Sequence, residues 1–285
     1  MDLQIRAISN KHNAKISIVD ISESINKICD LQQSSPIVNI CLAKFTINNT
    51  LVAIDNKDNN KISTAYSTDE GVIKRMITEF EDNKIRSTSK VKHFEMCETT
   101  EDINPLDLML GKTGEIYYSR DMGLKAPYIS SIKTKGSNMD SIFMQFLKKS
   151  SQITSLIATD VTFNNSFKID KAVGILIQLL PKHTQENIEM LENKIGNTKY
   201  LTDVLVKSTN YYEVIKDILD DAQILSTSQI IFECNCNYEK ILNLAKLLGK
   251  EELLELINNK ENVYINCDFC NKDYTIKYTE LNKLI

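Results

Sequence analysis

Four cysteines near the C-terminal end constrain this chain more than any other feature. They stand as Cys234-x-Cys236, thirty intervening residues, then Cys267-x-x-Cys270. Structural zinc takes four ligands in a tetrahedron, and thiolate is among its favoured donors. Alternate residues of a strand point to one face, so Cys234 and Cys236 can converge. Cys267-Asp268-Phe269-Cys270 reads as a knuckle that offers two more sulfurs to the same ion. Two pairs from separate segments then close a small domain around one Zn2+ per chain.

An iron–sulfur cluster also accepts four thiolates, but no ferredoxin spacing is present. A redox dithiol built on Cys267 and Cys270 should open a helix, whose N-terminus lowers the thiol pKa. Here a strand-like run, Tyr274 to Tyr278, follows instead. His12, His93 and His183 are remote in sequence and form no paired motif. Four sulfurs fill the coordination shell, so the metal is expected to be non-catalytic and the chain not an enzyme. A structural zinc contributes about 10 to 16 kcal/mol to the folding of a small domain. Oxidising its ligands would remove nearly all of that. Spacing alone leaves both a purely structural zinc and a redox-switched one open.

The chain has 285 residues, enough for one large domain with a satellite or for two ordinary domains. Its net charge is −4, whereas a general nucleic-acid binder is usually basic. No apolar run approaches the roughly 18 to 20 residues that span a bilayer. Met1 to Asn13 is mixed and polar, unlike a secretory signal. A cytoplasmic address follows, with neither nucleic acid nor membrane as partner. In that compartment the seven cysteines are thiols or metal ligands rather than a disulfide framework.

Periodicity predicts an α+β chain. Ile18, Ile21, Ile25 and Ile28 have helical spacing within Ile16–Asp30. Ser35-Pro36 opens a second helix through Ile37, Ile40, Cys41 and Leu42. Leu51–Ile54 and Lys61–Tyr66 flank the polar Asp55–Asn60 as strand, turn and strand. Glu115–Ser119, Leu156–Phe163 and Ala172–Leu180 read as strands, and Asn138–Ser150 as a helix. Pro181 ends the sheet. From Thr184 to Asp221 two short amphipathic stripes appear, Ile188/Leu191/Ile195 and Tyr212/Ile215/Leu219. Isolated helices this short are marginal, so their apolar faces must lie on something else. Ile230–Cys234 reads as a strand. Asn237 caps a helix through Ile241, Leu244, Leu247 and Leu248, with Gly249 at its end. A helix from Glu251 to about Ile257 follows, then a hairpin of Tyr264–Asn266 and Tyr274–Tyr278.

Other features carry less. Gly111-Lys112-Thr113 matches only the last three residues of a phosphate loop, because Leu106 stands where the first glycine belongs. Cys29 and Cys41 sit in apolar helical patterns and are expected in the core. Cys97 lies in a polar stretch and is expected to be exposed.

The flanking text of the cysteines is specific. Phe232-Glu233-Cys234-Asn235-Cys236, Leu248-Gly249-Lys250-Glu251-Glu252-Leu253 and Cys267-Asp268-Phe269-Cys270-Asn271 with Tyr274 resemble the redox-regulated heat-shock chaperone family of 33 kDa chaperonins. Asp121-Met122-Gly123-Leu124-Lys125-Ala126-Pro127-Tyr128 resembles that family's strand-to-turn segment, and Gly174 to Pro181 the end of its core domain. The resemblance is carried by residues 111 to 285. It implies an N-terminal α/β core with mixed sheets and helices over 1–181, a helical linker packed on it over 182–229, and a zinc-binding redox switch over 230–285. It also implies an ATP-independent holdase that is inactive when reduced and zinc-bound. Oxidation would expel zinc, form disulfides Cys234–Cys236 and Cys267–Cys270, unfold the linker, and let the protein, often as a homodimer, hold unfolded client proteins. The competing expectation is a constitutive zinc-containing interaction protein that has lost the switch.

Overall fold

The computed structural model describes residues 1–55, 60–95 and 104–285. Cys97 and most of the turn expected over Asp55–Asn60 lie outside the described residues. The chain forms two compact units, Met1–Phe232 and Glu233–Ile285. Strands and helices are numbered along the chain.

The larger unit holds two sheets. The first contains β1 (Leu3–Ser9), β2 (Ala14–Asp20), β8 (Ser155–Phe163), β9 (Ile169–Leu179) and β10 (Gln223–Gln229), in the order β10-β1-β2-β9-β8. The second contains β3 (Lys61–Ser67), β4 (Arg75–Glu81), β5 (Lys84–Ser89), β6 (Thr113–Asp121), β7 (Tyr128–Lys135) and the two-residue β11 (Ile231–Phe232), in the order β11-β5-β4-β3-β6-β7. All pairings are antiparallel except that of β11 with β5.

Helix α1 (Ser22–Gln32) and helix α2 (Pro36–Ala53) enter the space between the sheets. Helix α2 starts as its sequence demands, with Ser35 at the N-cap and Pro36 in the first turn, where a missing N–H costs nothing. It packs on β2, β8 and β9 on one side and on β4 and β5 on the other. A helix enclosed this way is apolar nearly all round. That explains why Leu51–Ile54, expected as a strand, is instead its buried last turn. A short apolar run has no period that separates buried helix from buried strand. Thr46 and Thr50 of α2 donate to the carbonyls of Leu42 and Thr46 one turn back, and Asn49 accepts from Thr64 of β3 at 2.6 Å. Gly174 of β9 makes the close approach possible, since a Cβ there would lie 2.4 Å from Ile47 Cγ2. Helix α3 (Pro105–Leu110) precedes β6, and α4 (Met139–Phe146) runs into a single π turn, Leu147–Ser151.

The helix expected over Ile16–Asp30 is a strand followed by a helix. Its single isoleucine stripe divides between two cores. Ile21, Ile25 and Ile28 face the inter-sheet core, whereas Ile16 and Ile18 face the opposite side of the first sheet. Pairing of β2 with both β1 and β9 decides this, and the alternation Ala14-Lys15-Ile16-Ser17-Ile18 is the local period-two signal for it.

That opposite side is covered by three short helices, α5 (Gln185–Ile195), α6 (Thr198–Lys207) and α7 (Tyr211–Ile218). Thr184 caps α5 in a reciprocal capping box with Asn187, and Asn197 and Asn210 cap the other two. Leu191, Ile195, Leu201, Leu205, Val214 and Ile215 lie on Ile5, Ile16, Ile18, Val173, Ile175 and Ile177 of the sheet. Burying each such side chain is worth about 1.5 to 3 kcal/mol. The inward face of α7 differs from expectation: Tyr211, Val214, Ile215 and Ile218 are buried and Tyr212 is exposed. The segment 182–229 is also not helical throughout. Its last seven residues are β10, which extends the first sheet beside β1.

The smaller unit contains α8 (Tyr238–Ala245) with a 3-10 turn (Lys246–Leu248), α9 (Lys250–Asn258), the hairpin β12 (Val263–Asn266) and β13 (Asp273–Ile276), and α10 (Tyr278–Leu281). Gly249 takes φ +87° after the turn, a conformation open to glycine. The core is small: Ile241, Ala245, Leu253, Tyr274, Ile276 and Leu281 surround buried Cys267. Leu244, Leu247 and Leu248, expected on the core stripe of α8, are exposed instead. Among the described residues no helix is long and apolar enough to cross a membrane.

Candidate metal centre

Each cysteine pair is placed by local structure. Cys234 and Cys236 lie between β11 and α8, and Asn237 immediately caps α8 by accepting from the Lys240 N–H. The strand expected over Ile230–Cys234 is regular only at Ile231–Phe232. Cys267 and Cys270 occupy the turn between β12 and β13. That turn is closed by Asn271 N–H to the Cys267 carbonyl at 2.8 Å and by Cys267 N–H to the Lys272 carbonyl at 3.0 Å. Asn271 takes φ +57°, which asparagine tolerates better than most residues.

The fold brings all four sulfurs within 4.8 Å of one another. Cys234 Sγ lies 3.7 Å from Cys267 Sγ, and Cys236 Sγ lies 3.4 Å from Cys270 Sγ. A tetrahedral zinc with bonds of about 2.3 Å needs sulfurs about 3.8 Å apart. The donor set and its spacing therefore fit zinc. None of the three histidines belongs to this group.

The electrostatics also call for a cation. Burial pushes the Cys267 and Cys270 thiols up, although backbone N–H groups of Phe269, Cys270 and Lys272 act against it. Burial acts the same way on Cys236. There, hydrogen bonds from Tyr274 and the neighbouring thiols win, and its pKa falls to about 7. Without metal, one thiolate is held among protonated neighbours. Four thiolates together require a positive charge at their centre.

The sequence places Tyr274 in the flanking text and at the start of a strand, with no role at the sulfurs. In the structure its hydroxyl donates to Cys236 Sγ at 3.1 Å. The available signal was its place four residues after Cys270 in a strand.

His12, Asp220 and Asp221 form a second cluster of metal-capable groups. Lys11 Nζ lies 2.6 Å from Asp220 and Lys194 Nζ 3.8 Å, while Ser9 and the Lys11 N–H donate to Asp221. These cations and donors already satisfy the carboxylates, so the cluster ties the α7–β10 junction to the β1–β2 turn. In the Gly111-Lys112-Thr113 segment, the Lys112 N–H and the Thr113 hydroxyl donate to Glu70, which leaves a turn rather than a phosphate cradle. Cys29 and Cys41 are buried, and burial pushes both thiols up to about 12.

The family model described as Hsp33 protein matches residues 2–277, which extends the resemblance through the first 110 residues. A 33 kDa chaperonin of Clostridium perfringens is 25% identical over 100% of this chain and 91% of its own length. One from Alkaliphilus metalliredigens is 24% identical over 99% and 97%. One from Lachnoclostridium phytofermentans is 32% identical over 60% of each chain. The crystal structure of a 33 kDa chaperonin, a heat shock protein 33 homolog from Thermotoga maritima, superposes with a TM-score of 0.86 over 99% of this chain and 97% of that one, at 21% identity. That likeness establishes the α+β fold. The chain belongs to the Hsp33 protein family.

Proposed function

We propose that the chain is a redox-regulated, ATP-independent holdase chaperone that binds unfolded client proteins. The observation that carries this reading is the four-sulfur cluster, set in a unit whose apolar core is too small to hold itself without a staple. In the resting state Cys234, Cys236, Cys267 and Cys270 would hold one zinc ion per chain. That ion would neutralise the thiolates and clamp the smaller unit. Oxidation to Cys234–Cys236 and Cys267–Cys270 would remove the clamp.

The assignment divides the chain into a client-binding core over 1–181, a releasable linker over 182–229 and a switch over 230–285. Cys234 follows the last residue of β10 by five positions, with β11 between them, so the switch and the linker would be coupled through a short stretch of backbone. Release of α5 to α7 would uncover Ile5, Ile16, Ile18, Val173, Ile175 and Ile177, a continuous apolar sheet face suited to unfolded segments. The oxidised form would dimerise through such surface. A cytoplasmic location suits cysteines kept reduced until stress. The reading assigns no catalytic residue, and neither nucleic acid nor membrane as partner.

The test is aggregation of a heat-denatured client in the presence of reduced or peroxide-treated protein. Suppression only after oxidation supports the reading; equal suppression, or none in either state, overturns it.

The polar ties of α7 favour a second reading. With Tyr211 bonded to Asp20 and Asp220 to Lys11 and His12, the layer is held by more than apolar contact. A constitutive zinc-containing interaction protein would keep its zinc, and its far-UV circular dichroism, under peroxide and mild heat. A chromogenic chelator separates the two readings.

A further inference from the structure

The four sulfurs are not solvated alike. Cys267 and Cys270 face backbone N–H groups of Phe269, Cys270 and Lys272, donors that belong to the main chain rather than to a side chain. Cys236 instead receives the Tyr274 hydroxyl, at 3.1 Å. Tyr274 is held rigidly for this task. It lies on β13 opposite Ile265, its ring is buried in the small core, and Lys272 Nζ stands 5.2 Å above the ring centroid. An ordered phenol aimed at a metal-binding sulfur stabilises negative charge there and orients the ligand, as outer-shell donors do at metal sites generally.

We propose that Tyr274 is a positioning residue that restrains Cys236, strengthening metal retention and slowing its attack on peroxide. The inference rests on the zinc-switch reading above. In the oxidative step the Cys236 thiolate attacks one oxygen of hydrogen peroxide. An S–O bond forms, the O–O bond breaks, and hydroxide leaves. The Cys234 thiolate then attacks the Cys236 sulfenic sulfur. The S–S bond forms and a second hydroxide leaves. Two protons convert the hydroxides to water, so two thiolates are oxidised by one peroxide. A thiolate that already donates electron density to a phenol O–H is a weaker nucleophile in the first of these steps. Removing the donor exposes the sulfur and loosens the ligand set at once.

The experiment compares the full-length reduced, zinc-loaded chain with Tyr274→Phe and, as a control, Tyr264→Phe, whose ring is 75% exposed on β12. Zinc affinity is measured by chelator competition without oxidant, and zinc release is timed under hydrogen peroxide. Cobalt loading supplies a spectroscopic readout through the sulfur-to-cobalt charge-transfer band. Tyr274→Phe is expected to bind one zinc with affinity about tenfold lower. It should release zinc several-fold faster than wild type, with a shifted charge-transfer band, and Tyr264→Phe should match wild type. Unchanged affinity and unchanged band in Tyr274→Phe overturn the inference while leaving the zinc-switch reading intact. Wild-type protein that keeps zinc under peroxide overturns the switch instead, and the oxidant-free affinity and cobalt band still decide the role of Tyr274. A wild-type chain that binds no zinc overturns both.

Discussion

The Tyr211 hydroxyl donates a 2.7 Å hydrogen bond to Asp20 Oδ2, joining the first residue of α7 to the last residue of β2. Lys171 Nζ completes the tie at 3.2 Å from the same oxygen. Burial pushes the Asp20 carboxyl up, but Ser22, Tyr211 and Lys171 together more than offset it, so it lies below the ordinary carboxylate range. The other end of α7 is tied through Asp220 and Asp221 to Ser9, Lys11 and His12. Helix α7 is therefore fastened at both ends, whereas α6 meets the sheet through Leu201 and Leu205.

Tyr211→Phe removes the hydroxyl and keeps the ring. A buried hydrogen bond to a charged group is worth about 1.5 to 3 kcal/mol, so the variant should lose about that much stability at neutral pH. The sign with pH follows from the depressed carboxyl. The tie contributes fully above the unfolded-state value of 3.8 and is lost as pH falls through the lower folded-state value. Thermal melts of wild type and variant should differ at pH 5 to 7 and converge in stronger acid. A gap that widens in acid would refute the assignment.

Leu205→Ala truncates a side chain with 0% exposure under α6. Large-to-small changes of this kind cost about 2 to 5 kcal/mol. The loss falls on α6, which among the described residues shows no polar tie to the sheet, so α6 should open first. Hydrogen exchange should rise in 198–207 before 211–218, and the reduced variant should suppress client aggregation partially without oxidant. Uniform exchange across both helices would contradict the two-ended fastening of α7.

Cys270→Ser replaces one thiolate by a hydroxyl that does not ionise near neutrality. Zinc stoichiometry should fall well below one. The unit Glu233–Ile285 should lose NMR chemical-shift dispersion while resonances of the inter-sheet core persist. Retention of one tightly held zinc would remove Cys270 from the ligand set.

In the reduced fold sulfurs from the two segments touch, Cys234 with Cys267 at 3.7 Å and Cys236 with Cys270 at 3.4 Å, and all four lie within 4.8 Å of one another. A bridge between Cys234 and Cys236 is near the geometric limit wherever the segment is extended, since two extended residues span about 7 Å between Cα atoms. The switch reading expects the proposed pairs to form as the unit comes apart during oxidation. Peptide mapping should find Cys234–Cys236 and Cys267–Cys270 together with lost chemical-shift dispersion. Cross-segment bridges in a still-folded unit would contradict the switch.

Gly174→Val should destabilise the larger unit by about 1 to 3 kcal/mol, the usual range for overpacking. The new Cβ meets Ile47 Cγ2 at 2.4 Å, and α2 is enclosed on both sides and cannot retreat. Urea denaturation measures this; an unchanged midpoint would show that α2 can move.

Features whose cause is short-ranged are readable from the residues alone. The cysteine quartet is legible because metal ligation demands particular residue types at particular spacings. The starts of α2 and α8 are legible because Pro36 fixes its own φ in the first turn and Asn237 accepts from a backbone N–H within one turn. Packing set what depends on partners distant in the chain. It divided the isoleucines of residues 16–28 between two cores, because β2 gained a strand neighbour on each side. It made Leu51–Ile54 helical, because two sheets enclose α2. It also carried Tyr274 to Cys236, because the β12–β13 register, rather than any local pattern, sets where that phenol points.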